Sequence, residues 1–322
     1  MQNKKLKHFV LNNANLFNRH KPSGRPSVLI FSLPRSGSTW LQELIWSQPE
    51  FKYVNEPLNL KDDWLLQKKS GINGFKELYT VAVRDKLINY FKGFIDGKHH
   101  FKNPNPLRKN SRFFTSRIVF KVIHGGEVYI NDIAQSTNSK IVYLLRNPIA
   151  VALSRKQIPR TEELTSDFVL SRFTLEEQKF AKEIISTGAD MERKIMLWCI
   201  QNKLALQHRN SNWLVISYEQ LTCYPEKVLT TLAAHCELPD LKTMIKNVNI
   251  PSAVTTQSEG DSVRLMQEDN DKRKHLINSW RSKVTKEEMR SYFDICNKMN
   301  IGIYTEDSDF ANLDNALHDI SL

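Results

Sequence analysis

The chain has 322 residues, with 46 Lys and Arg against 35 Asp and Glu, for a formal charge of +11. That length holds one large domain or two ordinary ones, and the globular composition, without repeats or low-complexity segments, excludes a fibrous or disordered protein. Four Cys at spacings that fit no zinc pattern exclude a disulfide framework and a Cys-based metal centre, and no stretch reaches the ~20 apolar residues of a spanning helix. The expected setting is therefore the reducing cytoplasm. Excess positive charge points to a polyanionic partner: nucleic acid, an anionic membrane or a phosphate-rich cofactor. Several of the cations fall at the ends of predicted strands, which favours the cofactor, and no nucleic-acid recognition motif is present.

Residues 1–26 form a basic leader. Lys4, Lys5, Lys7 and His8 lie beside Phe9, Val10 and Leu11, a composition that admits weak contact with a membrane surface but reads first as a solvated terminus. A single domain is expected over 27–304. It opens with Val28-Leu29-Ile30-Phe31-Ser32, an apolar, β-branched run of the kind that forms a buried parallel strand. The chain breaks at Pro34, passes through Arg35, Ser36, Gly37, Ser38 and Thr39, and resumes with helical periodicity at Trp40, Leu41, Leu44 and Ile45. Strand, small-residue loop and helix together make an anion cradle. The first helical amides lack intrahelical partners and carry the positive end of the dipole, and a phosphate satisfies both. Arg35 adds a full charge. The plainer alternative is a tight turn with a Ser/Thr cap. The stretch is not a nucleoside-triphosphatase loop, because Pro34 replaces the first Gly and no Lys closes it.

Phe51 to Pro57 alternates as a short strand, ending at Glu56 before Pro57. Leu60–Lys69 and Phe75–Ile95 read as helices. Gly97–Thr115 is basic and Pro-broken, a lid or a surface loop. Arg117–Ile123 is another buried strand, followed by His124-Gly125-Gly126. Ile141–Leu145 is a strand ending at Arg146-Asn147-Pro148, with Ser154 eight residues after Arg146. Ile158–Ser186 reads as a polar helical insert. Met191–Leu206 is amphipathic, with Ile195, Met196, Trp198, Cys199 and Leu206 facing a core. Val215-Ile216-Ser217-Tyr218 is a strand end, and Pro225–His235 a helix. Asn249–Asn270 is mostly loop. Thr285 with Glu288 makes a capping box for a helix that buries Met289, Tyr292, Phe293, Cys296 and Met299. Residues 305–322 are acidic, without Lys or Arg, and read as a solvated tail. Alternating helices and strands give an α/β fold with a central parallel sheet.

Four of these stretches, in this order, resemble the motifs of the sulfotransferases that use 3′-phosphoadenosine-5′-phosphosulfate (PAPS). Pro34 to Trp40 resembles the 5′-phosphosulfate loop, and Arg146 with Ser154 the 3′-phosphate motif. Tyr218 lies where a family Tyr approaches adenine. Arg273-Lys274-His275-Leu276-Ile277-Asn278-Ser279-Trp280-Arg281 matches the spacing of the cytosolic pattern Arg-Lys-Gly-x-x-Gly-Asp-Trp-Lys. It departs at both Gly, at the Asp and at the final Lys, which puts the backbone shape there in question while keeping the cation pair. The resemblance implies the P-loop-like fold, PAPS as sulfuryl donor, no metal, and an acceptor hydroxyl or amine. Arg35, Ser36, Gly37, Ser38, Thr39, Trp40, Arg146, Ser154, Tyr218, Arg273 and Lys274 would bind the donor.

The Glu56-Pro57 pair resembles the carbohydrate branch, where such a Glu lies near the acceptor, so the expected acceptor is a carbohydrate, with lipid, steroid or small alcohol as alternatives. Glu56 and His124 compete as general base. Histidine as a residue type titrates near neutrality, whereas a Glu needs burial to raise its pKa; the Glu-Pro context puts Glu56 first. In cytosolic sulfotransferases the Lys and catalytic His at this strand end lie closer together than Lys121 and His124, and side-chain alternation along a strand then places these two on different faces. The rival classes are a P-loop kinase or nucleotide hydrolase, which needs a loop Lys and an acidic Mg²⁺ ligand, and a non-enzymatic basic scaffold.

Overall fold

The computed structural model describes residues 19–60, 64–99, 112–157, 160–252 and 270–314. Most of the leader, most of the basic loop, the greater part of 249–270 and the end of the acidic tail lie outside these residues. The elements are β1 (Arg19–His20), β2 (Ser27–Ser32), α1 (Ser38–Trp46), β3 (Phe51–Asn55), α2 (Trp64–Ser70), α3 (Val83–Ile95), β4 (Phe114–Thr115), β5 (Arg117–Val122), α4 (Ile130–Ser136), β6 (Ser139–Leu145) and α5 (Pro148–Leu153). There follow α6 (Thr161–Leu164), α7 (Asp167–Leu170), α8 (Leu175–Thr187), α9 (Asp190–Leu206), β7 (Trp213–Ser217), α10 (Tyr218–Cys223), α11 (Pro225–His235), α12 (Leu241–Asn247), α13 (Asn270–Asn278) and α14 (Lys286–Lys298).

The main sheet has the order β3-β5-β2-β6-β7, and every pair is parallel. Its strands are apolar on both faces because helices cover both. In β2, Leu29 and Phe31 enter one core layer, and Val28 and Ile30 enter the other. The first layer holds Leu87 and Phe91 of α3, Ile133 of α4, Trp198 of α9 and Phe293 of α14. The second holds Leu41 and Leu44 of α1, Leu229 of α11 and Met244 of α12. Buried Gln42 of α1 ties the layer to the sheet, donating to the Val54 carbonyl at 3.0 Å and the Val119 carbonyl at 3.1 Å. The chain leaves β2 towards β3 on one side, and β6 and β7 are added on the other. Such a reversal opens a crevice at the carboxyl ends of the strands.

Three elements differ from the sequence reading. The stretch from Phe75 to Ile95 is broken: Phe75–Tyr79 is a 3₁₀ turn and the α-helix begins at Val83. The expected polar insert is woven into the core instead, with Leu164, Val169, Leu170, Phe173 and Ala181 all buried. Helix α9 is also not amphipathic in effect, for every residue from Lys194 to Leu206 is buried. Its polar groups are paired inside: Asn202 accepts from the Tyr143 hydroxyl at 2.9 Å, and Lys203 bonds Glu177 and the Met299 carbonyl. The capping box at Thr285 and Glu288 forms as read. Residues 305–312 dock on the domain: Asp309 pairs with Arg281 at 2.7 Å, and Ala311 is buried.

Arg117 opens β5 fully buried, and donates to the carbonyls of Pro26, Cys236 and Glu237. It pins the chain before β2 to the end of α11. Arg117→Met leaves the Pro26 and Cys236 carbonyls without their donor, while the Glu237 carbonyl keeps Arg25 at 2.6 Å; each carbonyl left buried and unpaired costs about 1–3 kcal/mol. The expected loss is about 2 kcal/mol or more, measured as a lower urea midpoint with unchanged slope.

Candidate active site

The loop after β2 is shaped by two residues in the left-handed region, Arg35 at φ +74° and Gly37 at φ +87°. Gly37 is required twice over. A side chain strains at that φ, and a Cβ there would lie 2.6 Å from the Tyr218 ring. The loop delivers the chain into α1 with no side chain capping its first turn and no acidic residue in it. First-turn amides of such a helix point outward as donors. Ser36 and Ser38 are buried, Thr39 is half-buried and Arg35 is exposed.

Arg146, just past β6, joins this loop. Its Nη1 donates to the Arg35 carbonyl at 2.8 Å, and its guanidinium lies 4.2 Å above the Tyr218 ring. Tyr218 in turn meets Trp40 edge-on at 6.1 Å. The Arg146 Nε is buried and unpartnered, a donor awaiting an acceptor. The turn that presents Arg146 is built from groups the motifs did not mark. Asn147 caps α5, accepting from the amides of Ile149 and Ala150. Its own amide donates to Glu219 at 2.9 Å, and Glu219 also accepts from the Tyr304 hydroxyl at 2.7 Å. Glu219 is 1 % exposed, and burial pushes its carboxyl up despite those bonds. Trp198, read as core, donates from its indole to the Arg146 carbonyl at 3.1 Å. An Asn-Pro after a strand signals the cap; nothing in the sequence links Glu219 to Tyr304.

Ser154 closes α5, its hydroxyl on the Val151 carbonyl at 2.9 Å. Arg273 and Lys274 stand on α13, which packs against α10, the helix that Tyr218 begins. Residues 270–278 are helical, with His275 and Asn278 inside the helix at the positions where the family pattern has glycines. Arg281, at the position of the family Lys, stacks on Trp280 and pairs with Asp309.

On the other side of the loop lies a cluster around Glu56. The β3–β5 register sets Asn55 opposite Lys121, so Glu56 emerges just beyond Lys121. Glu56 has φ +48°, and its amide donates to the Lys121 carbonyl at 2.9 Å. Lys121 Nζ donates to Glu56 Oε1 at 2.8 Å and to Thr39 Oγ1 at 2.9 Å. His124 Nε2 lies 3.1 Å from Glu56 Oε2. The strand ends at Val122, so the alternation expected to separate Lys121 from His124 does not extend to His124. Both reach one carboxylate. Burial alone would raise the Glu56 carboxyl, but the His124 hydrogen bond and the Lys121 charge outweigh it and hold it at about 2. The raised pKa that a glutamate would need as general base is therefore absent at Glu56. An ionised carboxylate only accepts, so Nε2 of His124 carries a proton.

Residues 25–304 match the sulfotransferase domain family, and the chain belongs to that family. No significant match to a curated protein is found. Among solved structures, similarity extends to the sulfotransferase domain of the Synechococcus PCC 7002 olefin synthase, at 16% identity over 89% of this chain and 97% of that one, with a TM-score of 0.45. The sulfotransferase domain from the curacin biosynthetic pathway matches at 15% identity over 85% and 97%, with a TM-score of 0.43. Mouse sulfotransferase SULT7A1 complexed with PAP matches at 15% over 90% and 89%, with a TM-score of 0.44. The parallel sheet with helices packed on both faces is the α/β architecture that the sequence pattern led one to expect. Among the described residues no helix is long and apolar enough to cross a membrane.

Because the Glu56 carboxyl is held low in the fold, its contribution to stability is complete above its ordinary value of 4.5 and is lost as pH falls towards about 2. The unfolding free energy of the wild type relative to Glu56→Ala should shrink as pH falls below about 4.5, measured by urea titration at each pH.

Proposed function

We propose that the chain moves a sulfuryl group from PAPS to an acceptor hydroxyl or amine, with roughly in-line transfer. The observation that carries this reading is the position of Lys121. It bonds Thr39 of the anion loop and Glu56 at once, which sets a donor cradle directly beside a group of proton-handling residues. The unpartnered Nε of Arg146 fits a phosphate-bearing ligand. In this reading Arg35, Ser36, Gly37, Ser38 and Thr39 hold the 5′-phosphosulfate. Arg146, Ser154, Arg273 and Lys274 hold the 3′-phosphate through charge-assisted bonds, and Tyr218 and Trp40 flank the adenine. Bound PAPS supplies the sulfuryl group. Arg35, Lys121 and the first amides of α1 are preorganised donors towards charge that builds on the leaving phosphate.

For the proton, the low pKa of Glu56 leaves it a weak acceptor near neutrality. Glu56 is therefore assigned the task of fixing the His124 ring, with the proton on Nε2, and His124 Nδ1 that of taking the acceptor's proton. No metal is needed for this chemistry, because fixed cations supply the electrostatics. The Glu56-Pro57 context supports a carbohydrate acceptor, and cysteine usage supports a reducing, cytoplasmic setting.

A thermal-shift comparison tests the donor. 3′,5′-ADP should raise Tm and ATP with Mg²⁺ should not; the reverse result points to a kinase or nucleotide hydrolase. With ³⁵S-labelled PAPS and pooled extracts as acceptors, Arg35→Ala should cut transfer by about 10²–10³ with Tm unchanged, the usual scale for losing one such donor. His124→Ala should cut it by about 10²–10⁴, the scale of a lost general base. If His124→Ala stays near normal while Glu56→Gln is inactive, the base is Glu56.

A further inference from the structure

Beyond the proposed donor cradle and proton-handling residues, the described residues contain a buried arginine and a half-buried neighbour with buried nitrogens that no anion meets. Arg155 is 8 % exposed, and both its Nε and Nη2 are buried without a hydrogen-bond partner. Arg160 lies within electrostatic reach of it, and Arg160 Nη2 is likewise buried and unpartnered. Burial and the Arg160 charge lower the Arg155 guanidinium to about 10. Neither arginine forms an ion pair among the described residues. Glu127 and Glu163 come within reach of the neighbouring Tyr79, yet neither bonds a guanidinium. A buried Arg155 beside a half-buried Arg160, with three nitrogens unsatisfied, is a costly arrangement, since removing a charge from water is repaid only by a partner.

The position of the pair says which partner. Arg160 Nη1 lies 3.4 Å from the Tyr79 hydroxyl, and its guanidinium is 5.8 Å from the centre of the Phe75 ring. Phe75 faces the His124 ring at 6.3 Å, and His124 holds Glu56. A short relay of contacts therefore leads from the proton-handling pair to the arginines, on the Phe75 side of His124. Arg160 sits at φ +60°, a backbone state uncommon for a non-glycine residue, at the start of α6.

We propose that Arg155 and Arg160 form an anion subsite for the acceptor, so that the acceptor carries a carboxylate, sulfate or phosphate ester near the group that receives the sulfuryl. This rests on the transfer reading above and narrows its substrate class to acidic acceptors, such as a uronic acid or an already esterified sugar. Guanidinium groups suit all three anions, because a planar fork offers paired donors.

The test follows the Nε–H signals of both arginines by NMR in ¹⁵N-labelled protein, assigned with Arg155→Gln and Arg160→Gln. The protein is saturated with 3′,5′-ADP and titrated with D-glucuronate, with inorganic sulfate and with D-glucose. The expected result is a saturable shift of both signals with glucuronate, sulfate or both, and none with glucose. Apparent affinity should fall at least tenfold in either variant. Response to one anion alone tells carboxylate from ester recognition. Arg155→Met should also raise Tm, because it removes a buried unpaired charge; an arginine that serves the fold alone would lower it. The proposal is overturned if the signals respond to no anion, or if 3′,5′-ADP alone shifts them and abolishes the anion response, which assigns them to the donor. If 3′,5′-ADP does not bind at all, the donor reading fails by itself, and titration of the ligand-free protein still decides whether the arginines take an anion.

Discussion

The active side of this protein depends on the pairing of one buried lysine. Lys121 is 2 % exposed, and a charge so placed must be matched by partners of good geometry. Its two partners come from different elements: Thr39 from the start of α1 and Glu56 from the end of β3. Satisfying the charge therefore fixes the distance between the anion loop and the carboxylate, and His124 is drawn to the same carboxylate from the far side. The low pKa of Glu56 follows from that geometry.

A buried carboxyl group does the same on the Arg146 side of the loop. Glu219 meets the Asn147 amide and the Tyr304 hydroxyl, and so fixes the turn from which Arg146 reaches the Arg35 carbonyl. The two clusters share the loop between β2 and α1. Gly37 lets that loop pass beneath Tyr218, whose ring also carries the Arg146 guanidinium. Belonging to the sulfotransferase family, the chain thus shows how its motifs, distant in sequence, become neighbours through paired interior charges.

Much of this was legible in the residues. Continuous apolar runs named β2, β5, β6 and β7 because both faces are buried, and alternation named β3. The loop around Gly37 and the Arg146 turn stood out because strand ends punctuated by small residues or Pro leave a local signal. The α9 environment was not legible. Its polar residues Gln201, Asn202 and Lys203 are buried against partners from distant segments, and periodicity cannot show a partner. The same reason hid Glu219. The separation expected between Lys121 and His124 failed because it assumed the strand ran on past Val122. The Phe75–Ile95 helix was read as unbroken because nothing between Thr80 and Ala82 breaks a helix by type.

The sheet order has a consequence for how such a protein can diversify. Strand β3 is at the margin and is hydrogen-bonded only to β5, whereas β2 sits in the middle with a neighbour on each side. The loop that carries Gly37 thus leaves a strand paired on both sides, and Glu56 follows one paired on a single side. In the proposed reading, the acceptor side can be rebuilt at this rim while the phosphate-binding side keeps its anchorage in mid-sheet.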